Sequence, residues 1–268
     1  MKQIKAAVHI AWCELLKWKK DPKCMVLLFF AAVIVYQVVS PAAALSRGLG
    51  YRVSPWVYPF IYFQSYWQLV LSFCFILLIS NAPFIDINQR YVMIRSGRKV
   101  WASGSILYTA MASFLYNAMV LLLSVLVVLP NSFIALDWGT ALTSLAYFSP
   151  NSKQMFLVSR ALITLYSPLE AVIHTLLLQS LLGVLLGEIM FALNLLFRKP
   201  IGTVVSVIVV LSRLIIPDGW AHLSPATIAN LDMVDSLGYS YGFFLIAITV
   251  LWLISVLVAT KSEIDIPA

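Results

Sequence analysis

The chain has few charged residues for its length. Only 11% of its 268 residues are charged and 62% are hydrophobic, whereas soluble domains carry about 25% charged residues. Its mean hydropathy is +0.93. So little charge excludes an ordinary soluble domain, and we expect an all-α, polytopic membrane protein.

The sequence also lacks the common catalytic and metal-binding motifs. It contains no G-x-x-x-x-G-K-[ST] phosphate loop, no H-E-x-x-H and no G-x-S-x-G. The three histidines, His9, His174 and His222, fall in separate segments, and no Cys/His cluster has the spacing of metal ligands. We therefore expect no metal, no cofactor and no ATP hydrolysis on this chain.

Long apolar runs are what the sequence has in abundance. A helix needs about 20 apolar residues to cross about 30 Å of hydrocarbon. Six runs predict membrane spans, at about 24–44, 59–82, 105–129, 169–193, 201–216 and 241–260. Residues 24–268 then form one six-helix transmembrane domain, with outer loops at 130–168 and 217–240.

Residues 1–23 predict a helix that lies in the plane of the membrane. Apolar residues recur at helical spacing on one face, namely Ile4, Val8, Ala11, Trp12 and Leu15. Lysines and Glu14 fall mostly on the other face, as in interfacial amphipathic helices. Asp21 and Pro22 are expected to turn the chain into the first span.

Lysine and arginine are distributed unevenly between the loops. With a cytoplasmic N-terminus, thirteen of the 18 lysines and arginines fall in inside segments. The positive-inside rule therefore predicts a multi-pass protein of the cell membrane with both termini in the cytoplasm. The net charge of +7 then reflects topology, and no nucleic-acid partner is expected.

The connector between the second and third spans is basic. Residues 88–104 read NQRYVMIRSGRKVWASG. Ser96 and Gly97 predict a tight turn between two short helical pieces, and Tyr91 and Trp101 predict interfacial anchors. Such a rigid, cationic connector suits docking of another protein. The alternative is that any inside loop of a membrane protein carries arginines.

Together these features resemble the membrane subunit of a type-2 ABC transporter, of the small bacterial exporter type. The segment FIDINQRYVMIRSGRKVWASGSILYT, residues 84–109, is similar to the coupling connector of such permeases. The resemblance implies separate ATPase subunits, which carry ATP and Mg, docked below connector 84–104. The implied docking residues are Arg90, Arg95, Ser96, Gly97, Arg98 and Lys99, with Arg198 and Lys199 in a lesser second contact.

The resemblance also implies a second permease subunit, identical or related, which completes the pathway across the lipid bilayer. Residues 220–238 occupy the place of the family's short re-entrant helices. The loop 130–168 is longer than in many members and could form an amphipathic outer cap. Aromatic residues on the second span suit an amphipathic peptide or lipid-like cargo, although an interfacial aromatic belt explains them equally well.

Ionisable residues in the fourth span are further candidates, because charge is costly in hydrocarbon. Glu170 and His174 are four residues apart, and Glu188 lies toward the inner end. In one interpretation Glu170 is an ordinary carboxylate at a helix N-terminus with His174 beside it. In the other, the two sense protons or substrate in the pathway, and Glu188 pairs with Arg198 or a partner subunit.

Gly183 and Gly187 form a G-x-x-x-G step in the same span. Such a step permits close helix approach in lipid and is a weak indication of a dimer seam.

Two other classes of function stay open. A membrane scaffold or immunity protein would need no ATPase partner, and an intramembrane enzyme would require Glu170, His174 or Glu188 for chemistry.

Overall fold

A computed structural model describes residues 2–83, 87–133, 135–148, 156–197, 200–216, 220, 223–233 and 236–261. Within these residues the secondary structure is helical apart from one isolated bridge between Val53 and Ser132, which confirms the all-α class. The α-helices are α1 (Lys2–Leu16), α2 (Pro22–Leu49), α3 (Tyr58–Ile61), α4 (Ser65–Leu78), α5 (Ile87–Ser96), α6 (Arg98–Val128), α7 (Gly139–Phe148), α8 (Arg160–Leu165), α9 (Pro168–Phe197), α10 (Ile201–Ile215), α11 (Pro225–Ile228) and α12 (Leu237–Lys261).

Four helices in the described part of the chain are long and apolar enough to cross a membrane. They cover Pro22–Ala44, Arg98–Asn131, Pro168–Phe197 and Leu237–Lys261. The other two predicted spans correspond to the shorter apolar helices α4, of 14 residues, and α10, of 15 residues. The chain is thus a helical, membrane-embedded protein, and the count of six spans stays a prediction.

The second predicted span is interrupted between α3 and α4. Gln64 is extended, with φ −80° and ψ 119°, and precedes α4 directly. An interruption frees backbone carbonyls, which need partners where water is excluded. Asn230 Nδ2 donates to the carbonyl oxygen of Tyr62 over 2.9 Å. A side chain from a distant loop therefore stabilises the break that replaces a continuous helix over 59–82.

Helix α9 is the central helix of the bundle. It is buried along most of its length, and α4, α6, α10 and α12 pack around it. Gly183 lies against Ser113 of α6, and Gly187 lies against Thr109 of the same helix. The G-x-x-x-G step therefore packs inside this chain. Its interpretation as a dimer seam is wrong, because α6 already fills the space beside both glycines.

Helix α1 packs against the first turns of α6. Ile10, Ala11 and Glu14 of α1 are buried, and a Cβ at Gly104 would lie 2.9 Å from the Ile10 Cβ atom. Ile4, Val8 and Trp12 of the predicted apolar face are exposed on the protein surface, whereas Glu14, which was assigned to the polar face, is turned inward. A helix is thus present where one was predicted; its in-plane placement stays a prediction. We call this end, with α1 and α5, the connector end.

The opposite end, here the loop end, is covered by the long connections. Trp56 Nε1 donates to the carbonyl oxygen of Ala135 over 2.9 Å, and Trp138 Nε1 donates to that of Tyr166 over 3.0 Å. The Trp138 ring also contacts Phe60, with 5.2 Å between ring centroids. The predicted loop 130–168 thus contains α7 and α8, and its described residues pack on the bundle as a cap.

Gly187→Ala should destabilise the protein. The added methyl group has to enter space held by Thr109 and Ile79, and overpacking of this kind costs about 1–3 kcal/mol. The matched control is Gly242→Ala in α12, where nothing lies within 4 Å of an added Cβ. Equilibrium unfolding in mixed detergent micelles measures both. Equal effects of the two substitutions would contradict the α6–α9 contact.

Candidate docking site and buried polar groups

The connector turns sharply at Gly97. Helix α5 ends at Ser96, whose Oγ donates to the carbonyl oxygen of Val92 over 2.6 Å. Gly97 has φ +85°, in the region that only glycine adopts readily. The predicted turn at Ser96-Gly97 is confirmed. The following piece is not short, however, because α6 begins directly at Arg98 rather than near residue 105.

The connector exposes apolar and cationic side chains together. Ile94 is 84% exposed and Tyr91 is 72% exposed. Arg95, Arg98 and Lys99 are also exposed, while Met93 is buried and α5 packs on α6. We call these five exposed residues the connector surface. Tyrosine and arginine are among the residue types that are enriched at protein interfaces.

The predicted anchor Trp101 and the remaining predicted docking residues have different outcomes. Trp101 is fully buried, with its ring centroid 5.6 Å from that of Phe191. Its predicted role as an interfacial anchor is wrong, because the early start of α6 turns it toward α9. The Arg90 side chain, Arg198 and Lys199 lie outside the described residues. Beside the last pair, Leu196 and Phe197 are about half exposed at the end of α9.

Glu170 and His174 take separate hydrogen-bond partners. Glu170 Oε2 accepts from the backbone N–H of Ser167 over 3.0 Å, which is the capping geometry expected of a carboxylate in a first turn. His174 Nδ1 is hydrogen-bonded to Tyr241 Oη over 2.8 Å, which ties α9 to α12. The geometry therefore favours the first interpretation, a helix-terminal carboxylate with a satisfied histidine nearby.

Glu188 is buried in the connector half of α9 at 1% exposure. Neither carboxyl oxygen has a hydrogen-bond partner among the described residues. The buried Ser255 Oγ of α12 is likewise unpartnered within that set. Glu188 follows His174 on α9 by the same number of residues as Ser255 follows Tyr241 on α12. Because these helices are parallel, both residues lie about 21 Å beyond the His174–Tyr241 contact. Two unsatisfied polar groups thus share one depth in the bundle.

A polar network closes the loop end around α11. Arg213 Nη1 donates to Gln68 Oε1, and Gln68 Nε2 donates to the carbonyl oxygen of Ala226 over 2.8 Å. Gln179 Nε2 donates to the carbonyl oxygen of Ala229 over 3.0 Å. Ala226 and Ala229 are fully buried. The segment therefore enters the bundle, and glutamines of α4 and α9 satisfy its carbonyls.

Asp232 fixes the far end of that segment. The Ser159 hydroxyl donates to Asp232 Oδ1, and the same Ser159 Oγ caps α8 by accepting from Leu162 N over 3.2 Å. Burial raises the pKa of the Asp232 carboxyl, while the Ser159 hydrogen bond and the Arg213 charge oppose that rise. Asp232 thus links the α8 region electrostatically to α10.

None of Gln68, Gln179 and Asn230 belongs to a sequence motif that predicted a site. Gln68 and Gln179 are amide side chains inside apolar runs, and this is the signal that could have marked them. Asn230 gave no such signal, because it lies in a polar loop. Its hydrogen bond to Tyr62 depends on how that loop folds back.

No protein-family model, no curated protein and no solved structure matches this chain. Across the described ranges, no three His, Cys, Asp or Glu side chains are grouped so that they could hold a metal ion. The connector surface and the bundle that supports it are therefore the features that bear on function.

Glu188→Met should raise the free energy of unfolding by about 1–3 kcal/mol. A buried polar group without partners costs about that much, and methionine has a similar shape. The matched control is Gln179→Met, which removes the hydrogen bond to Ala229 and should destabilise the protein. Denaturation in mixed micelles measures both. A loss of stability in Glu188→Met would mean that the carboxyl group has a stabilising partner.

Proposed function

We propose that this chain is the transmembrane subunit of an ATP-driven exporter of the type-2 ABC class. It would dock separate ATPase subunits through the connector surface and form the substrate pathway with a second permease subunit, identical or related. The observation that carries this proposal is the connector surface itself. It combines Tyr91, Ile94 and Arg95, which are exposed on the short helix α5, with Arg98 and Lys99, which are exposed just beyond the Gly97 turn at the start of α6.

The elements behind the connector support a role in force transmission. Gly97 joins α5 directly to α6, a helix of 31 residues. Helix α6 packs on α9 through Thr109 and Ser113. A partner that presses on α5 therefore acts on the central helix without an intervening flexible loop. Such rigid coupling is what a rigid-body transition between two transporter states requires.

The loop end supports the same proposal at the opposite side. The buried segment around α11 lies where the resemblance expects short re-entrant helices. Gln68 and Gln179 donate to its carbonyl oxygens, and Arg213 donates to Gln68. Hydrogen bonds to side chains can be exchanged when helices rock, so this end is suited to opening. An amphipathic peptide or lipid-like cargo remains part of the proposal.

The proposed topology follows from the lysine and arginine distribution. Six spans, with α4 and α10 as the short ones, would leave both termini in the cytoplasm of a multi-pass cell-membrane protein. The connector surface and α1 would then face the cytoplasm. Leu196 and Phe197, half exposed at the same end, would contribute to the lesser second contact with an ATPase.

The double substitution Arg95→Glu with Arg98→Glu should abolish association with the ATPase. Reversing two exposed charges sets like charges against the partner, while the subunit should stay inserted because neither side chain is in the buried core. The measurement is co-purification from native membranes in mild detergent, with co-purifying chains identified by mass spectrometry. Wild-type protein should retain a stoichiometric soluble chain that carries a phosphate loop.

The matched control is Lys2→Glu with Lys5→Glu, which reverses two exposed charges on α1 at the same end of the bundle. This variant should keep the ATPase. Normal association of the Arg95/Arg98 variant would show that docking occurs elsewhere. Recovery of the wild-type subunit alone, in a preparation where a known transporter stays intact, would favour the scaffold or immunity function.

A further inference from the structure

A cavity of about 280 Å³, lined by both polar and apolar side chains, lies at the connector end, where the chain between α1 and α2 meets α4 and α6. Its walls include Glu14, Lys17, Trp18, Lys20, Asp21 and Tyr108. The cavity is separate from the connector surface and is not needed for the proposed docking. Both signs of charge and two amphipathic aromatic rings therefore line a single space.

Hydrogen bonds hold the walls of this cavity in place. Trp18 Nε1 donates to Tyr108 Oη over 2.8 Å, which joins the chain before α2 to α6. Lys17 Nζ lies 2.7 Å from Glu14 Oε1. Asp21 Oδ1 accepts from the backbone N–H of Lys23 over 2.9 Å and caps α2. The space is thus preformed, and a ligand would not have to order these side chains on binding.

The residues on either side of the cavity indicate where it lies relative to the membrane surface. Met25 and Val26, in the first two turns of α2, are exposed apolar side chains. Lys19 and Lys20, just before α2, are exposed cations. The change from charged to apolar surface occurs within a few residues. Trp and Tyr side chains favour this boundary, where phospholipid headgroups lie.

The charges predict what kind of headgroup fits. Lys17 and Lys20 face the same space as the carboxylates of Glu14 and Asp21. Lys23 Nζ is close by and donates to Ser80 Oγ over 2.6 Å. A purely anionic group would meet the two carboxylates, and a purely cationic group would meet the lysines. A zwitterion with a phosphate and an ammonium group satisfies both.

We propose that this cavity binds the headgroup of a membrane phospholipid that carries a phosphodiester and a primary ammonium group, the chemistry of phosphatidylethanolamine. Lys20 and Lys17 bind the phosphate, and Glu14 and Asp21 accept from the ammonium group. The acyl chains extend along the apolar surface of α2 at Met25 and Val26. The bound lipid then fixes α1 and the start of α2 to the bundle.

The test is a titration of the full chain in detergent with dihexanoyl phosphatidylethanolamine below its micelle concentration, followed by calorimetry. Lys20→Glu should weaken binding about tenfold, since it places a negative charge against the phosphate. The matched control is Lys19→Glu, which makes the same charge change at an exposed neighbour outside the cavity wall. Its affinity should stay within about twofold of wild type.

Three further ligands identify the chemistry and its source. Dihexanoyl phosphatidylglycerol lacks the ammonium group and the phosphatidylcholine analogue lacks its N–H donors, so each should bind at least about tenfold more weakly. Glycerophosphoethanolamine carries the headgroup without chains and should also bind weakly. Equal binding of the first two lipids and phosphatidylethanolamine, or equal effects of Lys19→Glu and Lys20→Glu, would overturn the proposal. Equally tight binding of the free headgroup would overturn the membrane lipid as its source.

Discussion

The close approach of α6 to α9 is the packing constraint on which the other contacts depend. Gly183 and Gly187 remove the side chains that would hold the helices apart, and Ser113 Oγ donates to the carbonyl oxygen of Ser180 over 2.8 Å. In lipid, helices gain little from burying apolar surface, so small residues and interhelical hydrogen bonds drive association. Once α6 is fixed on α9, Trp101 reaches Phe191 and the connector has a rigid base.

Buried polar groups lie at both ends of the bundle, and only some of them have hydrogen-bond partners among the described residues. At the loop end, amides from Gln68 and Gln179 bind carbonyl oxygens of a segment that enters the bundle. In the connector half, Glu188 is buried without a partner among the residues that the structure describes. An unsatisfied buried group favours any rearrangement that hydrates it or brings it a partner. A rearrangement that gives the Glu188 carboxyl group a partner would therefore stabilise the connector half of α9.

The sequence predicted the features that depend on local pattern. Long apolar runs predicted the four long helices, and Ser96-Gly97 predicted the turn before α6. Features that depend on distant partners could not be predicted. The break after α3 is stabilised by Asn230, more than 160 residues away in the chain. The burial of Trp101 depends on where α6 begins, and the environment of Gly187 depends on which helix lies beside it.

The shortness of α10 has a consequence for the surrounding lipid. Fifteen residues make a helix about 22 Å long, well below the hydrocarbon thickness of about 30 Å. Val204 and Ile208 of α10 are exposed on the protein surface. In the proposed six-span topology, a bilayer in contact with this face therefore meets a hydrophobic mismatch that it does not meet beside the longer α2 and α12. The bilayer must become thinner there, or a neighbouring protein must cover this face of α10. The protein should therefore favour thinner membrane regions.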